Sequence, residues 1–555
     1  MSRPRSETIE RIGATSYDVC IIGGGASGAG CALDAQLRGL KTVLVDAGDF
    51  GSATSSASTK LIHGGLRYLQ QAITEFDIGQ YRLVRGALQE RVLMLQNAPH
   101  LTRVLQFVIP CISFFEAIYY SFGLKLYDWL SGRALLAHSS FIWRVESLLL
   151  VPQLKCHDLF GAAVYADGQF DDSRYNLALI QSCLASGGDV LNYASVIGFT
   201  KDREGRLLTA EVEDRASGKR VSVRAKIFLN ATGPFSDRVR QMASPGIAPR
   251  LILSKGVHIV LPLPGDFPDS AIVIPRTDDN RLIFAIPWQG RLLVGTTETQ
   301  TTIDDARIVT KSEAEYLLRH LNRYLARPFD RSEIVSAIAG LRPLVKSGKS
   351  SDTKKMIRDY EIEVEPRSTL ISVLGGKWTV YRAMAEEAIN VVERRLIGCI
   401  TECRTRSHPL SGFESQRDQA LQNLMEIHEM PADVTFHLVD KFGSCAGRVL
   451  ELVRGNPFLG LRLVPGAPQI QAEVVYSIRE EMALSIEDIL SRRLGLQYFD
   501  WRLAIQAAPV VGNILGRELG WARIRTEEEI RLYIDQIRAN LRALGLDLVP
   551  ACTAK

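Results

Sequence analysis

Short apolar runs alternate with amphipathic stretches up to about residue 405, and beyond it amphipathic stretches dominate. Tyr17 to Ile22 is a short apolar run, suited to a buried parallel strand. A helical stretch follows to Gly39, a natural C-terminal glycine, and a second apolar run, Thr42 to Val45, ends on Asp46. Residues 77–96 carry Ile78, Tyr81, Leu83, Val84, Leu88, Val92 and Leu95 at helical spacing. Residues 174–186 read as a helix, with a strand near Val190 to Ile197. Residues 207–213 and 219–229 read as a hairpin pair. Strand-rich sequence runs from Lys255 to Thr297, with turns at Pro264-Gly265 and Asp278-Asp279-Asn280. Ser312 to Leu325 is a predicted helix, Ser368 to Val373 a strand, and Tyr381 to Ile397 a helix. In the tail, Gln471 to Leu494 reads as one helix. Thr526 to Leu544 opens on a predicted capping box, Thr526 with Glu529, and presents Ile530, Ile534, Ile537 and Leu541 on one face. The pattern predicts an α/β protein: a Rossmann-type doubly wound domain interleaved with a mixed or antiparallel sheet domain, then an all-α C-terminal domain.

The first strand–helix–strand unit carries Gly23, Gly25 and Gly28 in G-x-G-x-x-G order. Gly23 permits the tight turn, Gly25 lets a pyrophosphate approach the backbone, and Gly28 lets the helix pack on the strand. The helix N-terminus offers free N–H groups to phosphate. Asp46 stands where a ribose hydroxyl is accepted. Strand, helix, second strand and terminal acid fall in order, which predicts a dinucleotide site.

With 555 residues the chain exceeds one ordinary core, so two or three domains are expected. The net charge of +4 is small and no dense Lys/Arg stripe occurs, which argues against nucleic acid. Nine cysteines, at 20, 31, 111, 156, 183, 399, 403, 445 and 552, include no pair with metal-site spacing, so reduced thiols and no metal are expected. The N-terminus lacks an apolar secretory segment, and a cytoplasmic chain is expected. Val104 to Leu126 is nearly long enough to span a bilayer, but Pro110 and Glu116 interrupt it, and Lys125 and Arg133 flank its far side. The expectation is a segment lying in the membrane interface, with a core or dimer-facing stretch as the alternative.

Two further segments bear on the cofactor. Asn230-Ala231-Thr232-Gly233 ends an apolar strand, and Gly375-Gly376-Lys377-Trp378-Thr379 offers another close backbone approach. A dinucleotide touched at three distant points is held permanently, which favours FAD over an exchanging nicotinamide.

Ala53-Thr-Ser-Ser-Ala-Ser-Thr-Lys60 and Ile62-His-Gly-Gly-Leu-Arg-Tyr-Leu69 resemble the signature of FAD-dependent glycerol-3-phosphate dehydrogenases. Gly256-Val-His-Ile-Val260, Gly340-Leu-Arg-Pro-Leu344, Ile357-Arg-Asp-Tyr360, Gly375-Gly-Lys-Trp-Thr379 and Tyr476-Ser-Ile-Arg-Glu-Glu481 extend the resemblance over nearly the whole chain. It is nearer the mitochondrial-type branch, yet the sequence has no D-x-D-x-D-G loop, so calcium control is not expected. Asp46 stands where the family more usually has glutamate, and Trp378-Thr-Val380 varies the usual end of the third motif.

The resemblance implies oxidation of sn-glycerol 3-phosphate to dihydroxyacetone phosphate, with electrons passing from FAD to a membrane quinone. It implies a peripheral protein on the inner face of the cytoplasmic membrane, and admits a homodimer. The domains implied are FAD-binding (16–100, 150–254 and 350–400), interfacial (101–149), substrate-binding (255–349) and helical (405–548). Besides Gly23, Gly25, Gly28 and Asp46, the implied cofactor contacts are Ser55, Ser56, His63, Gly64, Gly65, Val196, Gly233, Gly376, Lys377, Trp378 and Thr379. A phosphate dianion wants forked guanidinium donors and an ammonium, for which Arg342, Arg358 and Lys377 are candidates. Arg67 and Tyr68 line the same pocket by resemblance. Removing hydride from the carbinol carbon needs a base for its hydroxyl proton, and a neutral imidazole titrates in the right range: His258 first, then His63. The alternatives are an oxygen-reducing oxidase of the same fold, a flavin amine or amino-acid oxidase, and a flavin-binding protein without catalysis.

Overall fold

The computed structural model of the chain describes residues 4–65, 78–265, 267–279, 281–304, 308–346, 360–428 and 430–546. Two sheets share the first part of the molecule. In the first, the buried strand Ser16–Ile22 lies parallel to Thr42–Val45 on one side and to Arg220–Asn230 on the other, with Cys20 opposite Val43 and Phe228. Asp189–Leu191 and Ile371–Gly375 extend this parallel set, and the hairpin partner Leu207–Asp214 pairs antiparallel to Arg220–Asn230. The strands are apolar because helices cover them. Ala26–Leu37, rich in small residues, packs in one core with Asp172–Ala185 and Tyr381–Ile397.

The second sheet has ten strands among the described residues. Its backbone is the long antiparallel pair Leu251–Pro262 and Ser336–Val345, followed outward by Arg291–Gly295, Ile283–Trp288 and Ser270–Ile274. It continues through Thr102–Cys111, Gly161–Phe170 and Ser140–Trp143. These last three come from the stretches 101–149 and 150–254, so this sheet draws on sequence well outside 255–349.

The run Val104 to Leu126 is therefore not one element. Its first part is a strand of this sheet, and Ser113 then caps the helix Phe114–Ser131 by accepting from Glu116 N at 3.3 Å. Glu116 accepts in return from Ile112 N at 2.8 Å. Among the described residues no helix is long and apolar enough to cross a membrane.

The tail is helical, but two of its predicted elements differ. Gln471 to Leu494 breaks after Glu481, where Met482 takes a left-handed backbone, and resumes as a π-helical turn, Asp488–Arg493. The last helix begins at Arg523, not at a Thr526 cap. Thr526 is buried in its first turn, in a seat that only a glycine at 516 leaves open: a Cβ there would meet its Oγ1 at 2.4 Å.

Candidate active site

The glycine unit forms a cradle. Gly23 has φ +106°, closed to most side chains, and a Cβ on it would meet Ala231 O at 2.6 Å. Gly25 is the N-cap of Ala26–Leu37 and brings no side-chain cap, so the first turn's amides face outward for an anion. One of them, Ala26 N, donates to Ser55 Oγ at 3.0 Å. A Cβ on Gly28 would lie 1.8 Å from Gly23 O, which is the close helix–strand contact. Asp46 braces the turn, its carboxylate accepting from Gly24 N at 2.5 Å and Gly48 N at 2.8 Å. Asn230 Oδ1 accepts from Thr232 N and Oγ1, and Gly233 follows with φ +54°. An open helix N-terminus, glycines at each close approach and an acid at the second strand's end fit a dinucleotide.

Beside the cradle lies a cavity of about 250 Å³. Thr54, Ala57, Ser58, Thr59, His63 and Gly65 line one side, and Gly376 to Thr379 another. The second sheet supplies the rest, including His258, Arg342, Thr296, Thr297, Phe107, Tyr165 and Asp167. Strand register explains the arrangement. His258 pairs with Gly295, and a Cβ on Gly295 would lie 2.1 Å from the imidazole. Gly256 pairs with Gly340, two positions from the Ser254–Arg342 pair, and a Cβ on Gly256 would lie 2.4 Å from the Arg342 guanidinium. Glycines at both positions make the room that the two functional side chains occupy.

His258 is buried, and its Nε2 lies 3.0 Å from Thr59 Oγ1. Its Nδ1 has no hydrogen-bond partner among the described residues. Burial above all, then the charges of Arg342 and Lys60, pushes the imidazole down to about 3. That corrects the expectation of a base titrating in the ordinary histidine range. Arg342 donates to Thr296 Oγ1 at 2.7 Å and Thr297 O at 3.0 Å. Trp378 Nε1 donates to Ser55 O at 2.8 Å, and Thr379 Oγ1 meets both His63 N and His63 O at 3.3 Å. Gly64 N donates to Tyr127 OH at 2.9 Å.

His63, Gly65, His258, Arg342, Gly376, Lys377, Trp378 and Thr379 thus share one cavity. Ser55 links it to the cradle, whereas Ser56 is buried beneath the loop, its carbonyl accepting from Lys60 Nζ at 2.8 Å. Val196 is not in the cavity wall; it pairs with Val212 two residues beyond Ala194, whose N–H donates to Asp46 O at 2.6 Å. Arg67, Tyr68 and Arg358 lie outside the described residues. Sequence reasoning gave no role to Thr59 or to Lys60, which pairs with buried Asp172 and lies over the rings of Trp288 and Tyr498. Both stand in the Ala53–Lys60 motif, so their position was a signal. Tyr498 had none, because it arrives from the helical tail.

Comparison with known proteins agrees with this geometry. The profile described as FAD dependent oxidoreductase matches residues 18–370, and that of the C-terminal domain of alpha-glycerophosphate oxidase matches 403–526. A probable mitochondrial glycerol-3-phosphate dehydrogenase of Caenorhabditis elegans is 39% identical over 94% of this chain and 73% of its own length. The mitochondrial glycerol-3-phosphate dehydrogenase of Rattus norvegicus is 38% identical over 93% and 72%. The crystal structure of glycerol-3-phosphate dehydrogenase from Bacillus halodurans, complexed with FAD, superposes with a TM-score of 0.78 at 27% identity, covering 99% of both chains. The cradle, the cavity and these matches carry one conclusion: the chain belongs to the FAD-dependent glycerol-3-phosphate dehydrogenases.

Proposed function

We propose that this chain oxidises sn-glycerol 3-phosphate to dihydroxyacetone phosphate and delivers the electrons to a membrane quinone. The observation that carries the reading is a neutral, buried imidazole and a guanidinium in one cavity, beside a dinucleotide cradle. When bound, FAD supplies the acceptor for the hydride that leaves the carbinol carbon. Arg342 and Lys377 hold the phosphate end, with Arg358, Arg67 and Tyr68 as further expected contacts. Thr59 orients the His258 ring through Nε2. His258 takes the hydroxyl proton. A phosphate dianion beside Arg342 offsets the cation's pull on the imidazole and raises its proton affinity in the complex. The apolar walls Phe107 and Tyr165 limit water in the site.

A membrane acceptor is supported by the outer surface. Phe114, Phe115, Ile118, Tyr119 and Phe122 are exposed on the helix Phe114–Ser131, and Trp143, Val145 and Leu149 are exposed nearby. Phe160 joins the two groups, its ring 6.2 Å from that of Phe114 and 5.8 Å from that of Trp143. Exposed apolar and aromatic residues grouped in this way suit the headgroup region of a bilayer and support a peripheral protein, for which the inner face of the cytoplasmic membrane is the proposed side.

Anaerobic mixing tests the reading. Glycerol 3-phosphate should bleach the bound flavin rapidly, while glycerol and simple amines should not. Reduced enzyme should then be reoxidised faster by a quinone in vesicles than by oxygen. Bleaching by amines alone would favour the amine-oxidase alternative, and preferential reoxidation by oxygen with peroxide release the oxidase.

A further inference from the structure

The helical domain grips one loop of the dinucleotide-binding domain at both ends. The loop, Asp49 to Lys60, begins three residues after Asp46. At its head, the buried Asp49 carboxylate receives two consecutive arginines. Arg492 Nε donates to Oδ2 at 2.5 Å, Arg493 Nη2 to Oδ1 at 2.9 Å, and Arg493 Nη1 also to Oδ2. Neighbouring side chains on a regular α-helix diverge. Here they sit on the π-helical turn Asp488–Arg493, and both reach the same carboxylate. Arg492 also donates to Asp488 at 2.6 Å, so two buried carboxylates balance two buried guanidinium groups. At the loop's far end, Tyr498 OH donates to Ser56 Oγ at 3.2 Å, and its ring lies 4.9 Å from the Lys60 ammonium.

Between these two grips the loop carries its functional contacts. Ser55 accepts from the head of the dinucleotide helix and from Trp378, and Thr59 meets His258. A buried ionic network adds little net stability compared with apolar packing, while leaving one member unpaired is costly. Here its forked, directional bonds tie the head of the loop to one turn of the helical domain.

We infer that the helical domain holds the cofactor loop in register, and that Arg492, Arg493 and Tyr498 are positioning residues for the bound dinucleotide. The inference rests on FAD occupying the Gly23–Gly28 cradle. The tail then has a defined task, though none of its described residues lines the cavity.

Titration of full-length apoprotein with FAD, followed by flavin fluorescence, tests this, together with the visible circular dichroism and midpoint potential of the bound flavin. Arg493→Lys keeps the charge but loses the fork, and should raise the FAD dissociation constant about tenfold, the size of one charged hydrogen bond. Tyr498→Phe, a gentler change, should alter the dichroism and the potential while the apoprotein melts as wild type. Should Arg493→Lys not fold, Tyr498→Phe decides alone. Wild-type affinity, dichroism and potential in the folded variants would overturn the inference. A wild-type apoprotein that takes up no FAD would instead refute the cofactor assignment, a separate result.

Discussion

The imidazole Nε2 of His258 lies 3.0 Å from the Thr59 hydroxyl, so a strand of the substrate sheet and the cofactor loop meet at the proposed base. His258 is pushed down to about 3, chiefly by burial. It is therefore neutral across the working range, and flavin bleaching should show no transition at the ordinary histidine value of about 6.5. His258→Asn should still bind FAD but bleach about 10²–10⁴ times more slowly in stopped flow. A transition near 6.5 that His258→Asn retains, or an unchanged rate in the variant, moves the proton to another group, with His63 next to test.

The same shift predicts a stability effect. Unfolded, His258 binds a proton below about 6.5; folded, it does so only near 3. The unfolded state therefore takes up more protons between these values. Stability is intact above about 6.5 and falls as the pH drops toward 3. The urea midpoint of His258→Asn should fall less between about pH 7 and pH 4.5 than that of the wild type. Equal falls would mean that the imidazole is not sequestered.

Gly25→Val should abolish FAD retention. Any Cβ at Gly25 would stand 2.9 Å from Ser55 Oγ, at the mouth of the open helix N-terminus. The two γ-methyl groups of valine extend further into the space a pyrophosphate needs. The purified variant should be colourless, and a full flavin spectrum with normal turnover would refute the cradle.

Much of this architecture could be read from local pattern. The apolar strand, three glycines and terminal acid of 16–46 lie within one short unit, and each residue answers a local demand. The capping signal shows where local reading runs out. Ser113-x-x-Glu116 and Thr526-x-x-Glu529 have the same form, but only the first caps a helix. The length of the apolar run concealed the true cap. The false one fails because Thr526 is drawn into a buried seat against Gly516, a contact between two helices that no single-helix pattern encodes. Arg493 and Asp49 are separated by 444 positions, and nothing near either names the other. The low proton affinity of His258 was hidden for the same reason, since it follows from burial between two sheet strands and a loop.

The apolar outer face should hold the protein on membranes without spanning them. Phe115 and Leu149 are 81% and 77% exposed, on the two helices that begin at Phe114 and after Trp143, the residues whose rings meet Phe160. Replacing Phe115, Phe122, Trp143 and Leu149 together with Ser should move folded protein from the vesicle-bound to the free fraction in a flotation assay. High salt should release the wild type poorly, because the contact is apolar rather than ionic. Unchanged flotation of a folded variant would return this face to a second copy of the chain.

Arg342 is the described cation best placed to select for phosphate. It enters the cavity only because position 256 is glycine, and Thr296 and Thr297 fix its fork. Arg342→Ala removes a forked, charged contact, typically worth about 1.5–3 kcal/mol. That corresponds to a loss of roughly ten- to a hundredfold in kcat/KM for glycerol 3-phosphate. Activity on unphosphorylated glycerol has no such contact to lose, so the ratio of the two should collapse while the flavin spectrum stays normal. Arg342→Lys should recover only part of the ratio, because an ammonium cannot reproduce the planar fork. Arg342 is also one of the two cations that depress His258, so its removal should raise the imidazole's proton affinity and lift the acid limb of the stability profile. Steady-state kinetics on both substrates, with denaturation across pH, measures the two effects on one variant. If the ratio stays intact, the phosphate is held by Lys377 and Arg358 and the role of Arg342 is confined to the charge it places beside His258.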